Sequence, residues 1–114
     1  MQVEEIANII DAKVLTDQPD QALEVEYAFS SDLMSDVLTR YYQDTVLITG
    51  LANMQAIRTA EMSDIQVLII ARGKKVDTEM IALAEESDIV LLSCEYSVFR
   101  ISGILHENGI KAIF

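Results

Sequence analysis

The chain has 114 residues, 51% of them hydrophobic and 24% charged, and its 19 acids against 8 bases give a formal net charge of −11. That length suits one core, and the apolar content excludes intrinsic disorder. The acidity opposes the counterion release that drives nucleic-acid binding and repels anionic lipid surfaces, and no apolar run approaches the roughly 18 residues that span a bilayer, so neither nucleic acid nor membrane is an expected partner.

Taken from the first residue, Val3, Ile6, Ile9 and Ile10 recur at helical spacing opposite Glu4, Glu5 and Asn8, which predicts an amphipathic helix over about 2–11 with acids in its first turn. Lys13 to Thr16 reads as a short extended piece, ended by a turn at Asp17-Gln18-Pro19-Asp20 around the only proline. Leu23, Val25, Tyr27 and Phe29 alternate with Glu24, Glu26 and Ala28, which predicts an edge or outer strand with one wet face. Ser30 or Ser31 is placed to cap a helix that buries Leu33, Met34, Val37, Leu38 and Tyr41.

Four apolar runs, 45–50, 66–73, 88–95 and 109–114, then recur at intervals of roughly 22 residues. One such period holds a strand, a helix and two turns, so the rhythm predicts parallel strands joined by right-handed crossovers. The runs are apolar on both sides, as strands covered by helices on both faces must be. Asn53 and either Asp77 or Thr78 are placed to cap the intervening helices. Their inward residues read Ala56, Ile57, Ala60 and Met62, then Met80, Ile81, Leu83 and Ala84. A last helix, from Tyr96 to Leu105, ends at Asn108-Gly109, and Lys111 to Phe114 closes as a short strand. The expected architecture is α/β: a three-layer αβα sandwich with a mostly parallel sheet, one domain over residues 1–114, with the direction of the first two strands open.

In such sheets ligands gather outside the carboxyl ends of the strands. Here those ends place Thr49, Gly50 and Asn53, then Arg72, Gly73, Lys74 and Lys75, then Ser93 as candidate ligand-binding residues. Arg72, Lys74 and Lys75 beside a flexible Gly73 suit a phosphate or carboxylate, held by charge and backbone amides together. The plainer reading is a solvated loop balanced by Asp77 and Glu79. The loop is not a Walker A motif, because Leu68 stands where that motif needs glycine and Lys75 where it needs Ser or Thr.

Cys94 is the only cysteine, which excludes an intrachain disulfide and a multi-cysteine metal site and fits a reducing cytoplasm. Its thiol reads either as a nucleophile favoured by Arg100 and a helix start or, more plainly, as a small buried group. His106 is the only histidine and has no partner for catalysis or metal binding, while Asp32 and Asp36 read as a solvated helix face. Tyr27, Phe29, Tyr41 and Tyr42 suit a partner surface or the core. No residue is assigned a catalytic or metal-binding role, and no cofactor is expected.

The segments Ile6 to Thr16 (IANIIDAKVLT), Ala28 to Leu38 (AFSSDLMSDVL) and Val46 to Gly50 (VLITG), followed by Val67 to Gly73 and Ala84 to Ser93, resemble the DRTGG domain. That small α/β module accompanies phosphate acetyltransferases, occurs between CBS domains in some pyrophosphatases, and is related to the N-terminal domain of the HPr kinase/phosphorylase. The residues that name the family differ: Leu51-Ala52-Asn53 follows Thr49-Gly50 in place of Asp-Arg, and Ala71-Arg72-Gly73 stands for Thr-Gly-Gly. The resemblance implies a non-catalytic, stand-alone regulatory or ligand-sensing domain, a homodimer, that takes a small anionic metabolite or nucleotide or pairs with a metabolic enzyme. The alternatives are an interaction subunit without a ligand and an enzyme using Cys94 or the loop 72–75.

Overall fold

A computed structural model describes residues 1–17 and 23–114. Its elements are α1 (Val3–Ile9), β1 (Lys13–Val14), β2 (Tyr27–Ser30), α2 (Met34–Val37), β3 (Thr45–Thr49), α3 (Met54–Met62), β4 (Val67–Ile70), α4 (Thr78–Glu86), β5 (Val90–Ser93), α5 (Val98–Glu107) and β6 (Lys111–Ala112). The six strands form one sheet in the order β1-β5-β4-β3-β2-β6. Only β1 runs against its neighbour, pairing Lys13 with Ser93 and Val14 with Leu92 of β5; the other pairs are parallel. The expected turn around Pro19 falls on residues 18–20, outside the described residues.

Alternation along the strands divides the core between the two faces of the sheet. Val46, Ile48, Val67, Ile69 and Leu92 pack with Ile6 of α1 and with Ile101 and Leu105 of α5. Leu47, Leu68, Ile70 and Leu91 pack on the other face with Val37 of α2, Ile57 and Ala60 of α3, and Met80 and Ala84 of α4. These are three αβα layers around a mostly parallel sheet, as the doubly apolar runs require.

Helix boundaries follow local chemistry. The Asn53 carboxamide oxygen accepts from Ala56 N–H at 3.0 Å, the Asp77 carboxylate from Met80 N–H at 2.9 Å and the Ser97 hydroxyl from Arg100 N–H at 3.1 Å, which caps α3, α4 and α5. The turns back into the sheet repeat one device. Asp11, Asp64, Asp88 and Gly109 adopt left-handed backbone at φ 52°, 60°, 56° and 99°. The next N–H then bonds five residues back, from Ile65 to Ala60 O at 2.9 Å and from Ile89 to Ala84 O at 2.8 Å. This is the helix stop usually built with glycine, made here three times with aspartate, whose short polar side chain tolerates the conformation.

Three expectations are corrected. β2 is not the edge: it lies between β3 and β6, parallel to both, because β5 returns across the sheet through α5 to place β6 outside it. The helix after it lasts one turn, its N-cap Leu33 makes no side-chain cap, and of its apolar residues only Met34 and Val37 are buried, while Leu33, Leu38 and Tyr41 face solvent. Met62, expected inward at the end of α3, is also exposed.

Candidate functional site

The centre of the carboxyl-end rim is where β4 and β5 part. Ala71 is still tied to the sheet through its N–H to Thr49 O at 2.8 Å, and Arg72 and Gly73 then adopt consecutive left-handed conformations at φ 66° and 62°. That turn is unfavourable for arginine. It is held by two bonds across to the β5 end, from Arg72 N–H to Tyr96 O at 2.8 Å and from Gly73 N–H to Cys94 O at 2.9 Å. Beyond them the chains separate, with α4 packing on one face of the sheet and α5 on the other. Carboxyl ends of neighbouring strands whose helices leave to opposite faces are the usual ligand position in open α/β sheets.

Gly73 is favoured there because its φ suits glycine, and the end of the flexible Glu95 side chain lies where a Cβ would stand. Around it Arg72, Lys74 and Lys75 are exposed. The ion pairs among the described residues are those of the N-terminus with Glu24 and of Lys111 with Glu26, which leaves these three bases without a carboxylate partner. The balance expected from Asp77 is not formed; that carboxylate caps α4. On the β5 side the Arg100 guanidinium stacks over the Tyr96 ring at 3.7 Å, a fourth base with a flat apolar neighbour.

The adjoining part of the rim, at the end of β3, is organised differently. The Asp32 carboxylate accepts from Gly50 N–H at 2.6 Å and from the Thr49 hydroxyl at 2.9 Å, and Leu51 N–H donates to Thr49 Oγ1 at 3.2 Å. The chain therefore fills this backbone position with its own anion, and Asn53 spends its side chain on capping α3. Asp32 is not on a helix face with Asp36, because it precedes the short α2.

The structure thus groups the expected site residues into two neighbouring sets. Arg72, Gly73, Lys74, Lys75 and Ser93 stand at the β4 and β5 ends, and Thr49, Gly50 and Asn53 at the adjacent β3 end. The amides of Gly50, Arg72 and Gly73 all donate within the chain, so side chains rather than these amides are what the rim offers an anion. Sequence reasoning read Asp32 as a solvated helix face, and placed Glu95 and Tyr96 at the β5 end without choosing them as binding residues. The available signal was their place directly after β2 and β5, where a side chain must lie beside the rim.

Cys94 is buried and its thiol donates to Ile10 O at 3.2 Å. Burial is the main cause that pushes its pKa up; the Tyr96 backbone opposes it, the neighbouring Asp11 and Glu95 add to it, and Arg100 opposes it least. A protonated, enclosed thiol is poorly suited to nucleophilic attack.

A family model for the DRTGG domain matches residues 5–108. The chain belongs to the DRTGG domain family. A search of curated proteins finds no match. Among solved structures, the CBS and DRTGG domains of the regulatory region of Clostridium perfringens pyrophosphatase, complexed with the activator diadenosine tetraphosphate, align with a TM-score of 0.69 at 12% identity over 90% of this chain. This DRTGG domain spans 45% of that chain, and at such identity the likeness shows a shared fold. No helix among its described residues is long and apolar enough to cross a membrane.

Proposed function

We propose that this DRTGG domain is a non-catalytic regulatory module that binds a small anionic metabolite or nucleotide at the carboxyl ends of β4 and β5 and works as a homodimer. The observation that carries the reading is the loop 72–75: three bases without a carboxylate partner among the described residues, on a chain of net charge −11, at the one rim position where neighbouring strands send their helices to opposite faces. Arg72, Lys74 and Lys75 would meet the anion by charge, Tyr96 offers a ring for a base or other flat group, and Gly73 and Ser93 stand at the two strand ends. Thr49, Gly50 and Asn53 serve as the rigid wall, with Asp32 turning an anion away from the β3 end.

The family membership and the aligned pyrophosphatase regulatory region support regulation over catalysis, and the enclosed Cys94 thiol argues against the enzyme alternative. Isothermal titration against adenine mononucleotides, diadenosine tetraphosphate and acetyl phosphate tests the reading. Saturable binding that weakens with salt supports it, because the contacts are exposed charges. Absence of heat from all of them leaves an interaction subunit without a ligand.

A further inference from the structure

We infer that the anion taken at the carboxyl ends of β4 and β5 is a phosphate group, and that it displaces the Glu95 carboxylate from the open face of Gly73, so that Glu95 sets which anions the loop accepts. This rests on the binding reading proposed above and names the group bound there and the residue that selects it.

Glu95 is exposed, with solvent open to it, yet its side chain folds back over the loop: its carboxyl carbon lies 3.0 Å from where a Cβ on Gly73 would stand. The backbone fixes this neighbourhood. Arg72 N–H bonds to Tyr96 O and Gly73 N–H to Cys94 O, so the residues on both sides of Glu95 are tied to the loop that carries Arg72, Lys74 and Lys75. A negative side chain is thereby anchored beside three bases, against a residue that has no side chain of its own.

The two carboxylates of the rim are held in different ways. Asp32 accepts from Gly50 N–H at 2.6 Å and from the Thr49 hydroxyl at 2.9 Å, charge-assisted bonds that an outside anion would have to break. Glu95 takes part in neither of the ion pairs among the described residues, and only screened attraction to the nearby bases keeps it in place, so it leaves at small cost. A ligand carboxylate would exchange one single negative charge for another. A phosphate monoester carries about −1.5 to −2 at pH 7 and gains on the exchange. The face of Gly73 is therefore a phosphate position with a weakly held internal competitor.

Titration calorimetry of the full chain with AMP, in the wild type, Glu95→Gln and Glu61→Gln, decides the matter. Glu95→Gln keeps the shape of an exposed side chain and removes its charge, while Glu61→Gln makes the same change in net charge at the amino ends, the length of β4 away and beyond the screening distance of about 8 Å. The expected result is AMP binding about 5-fold tighter in Glu95→Gln and within about 2-fold of wild type in Glu61→Gln. Acetyl phosphate should compete with AMP for the wild-type chain and acetate should not. Unchanged or weaker binding in Glu95→Gln, or equal tightening in both variants, would overturn the role of Glu95 and leave the anion site standing. Equal competition by acetyl phosphate and acetate, or competition by neither, would overturn the phosphate preference. No AMP binding by any of the three chains would overturn this inference and the reading it rests on.

Discussion

The two ends of the parallel strands differ in the charges they gather. At the amino ends, Asp64 and Asp88 take the left-handed position that returns each helix to the sheet, and Asp44, left-handed at φ 52°, joins them around an acid-lined hollow of about 510 Å³. At the carboxyl ends the left-handed positions are Asp11, Arg72 and Gly73, and the exposed bases Arg72, Lys74 and Lys75 stand together there beside the Glu95 carboxylate. The contrast shows how a strongly acidic chain keeps one region where an anion is not repelled. Acids are concentrated where each side chain also serves the backbone, and the bases stand where the strands part.

The comparison is broken most severely at Gly73. Gly73→Ala puts a Cβ at a left-handed φ suited to glycine and pushes the flexible Glu95 side chain aside, and should cost about 1–2 kcal/mol in urea unfolding. A change under about 0.5 kcal/mol would show that the loop is free to move and that the two bonds to β5 do not hold it. Asp32→Ala comes next. It removes the acceptor of Gly50 N–H and of the Thr49 hydroxyl, and should lower stability by about 1–2 kcal/mol.

At the opposite end the sign reverses. Asp88→Gly relieves a left-handed non-glycine residue and one of several clustered acids, so stability should rise by roughly 0.5–1 kcal/mol. A loss there would mean that the aspartate side chain contributes more than its backbone costs.

Cys94 supplies a pH test. Its pKa is raised in the folded chain, so the folded state holds the proton more tightly than the unfolded state does. Stability is fully present below the ordinary thiol value of 9.0 and falls as pH rises above it. Tyr42, also raised by burial, adds to this fall from its ordinary value of 10.0 upward. Unfolding midpoints of Cys94→Ala should therefore decline less between pH 8 and 10 than those of the unsubstituted chain, and equal declines would contradict the assignment. The smallest effect is expected from Arg72→Ala with Lys74→Ala. Both are exposed and without ion pairs among the described residues, so stability should stay within about 0.5 kcal/mol.

Much of this contrast was legible from residue order. The buried strands β3, β4 and β5 declared themselves because a strand covered on both faces is apolar at every position, and Asn53 and Asp77 because a cap acts within three residues of itself. What failed to show depended on distance. Asp32 finds its partners 17 and 18 residues away, Glu95 meets Gly73 across two loops, and the inner position of β2 is set by β6, more than 80 residues later. Leu33, Leu38 and Tyr41 fit a helical stripe, yet α2 ends after one turn without a side-chain cap, so the stripe never closes over the core. The rim was placed correctly by strand order, but the commitment of its amides to Asp32, Tyr96 and Cys94 arises only in the folded chain.

The most direct test of the central claim is a backbone amide chemical-shift map of the isotope-labelled chain titrated with diadenosine tetraphosphate and adenine mononucleotides. The account predicts saturable shifts clustered at residues 72–75 and 95–97, abolished when Arg72, Lys74 and Lys75 are replaced together by alanine. Shifts confined to the acid-lined amino ends, or none with any of these anions, would contradict it.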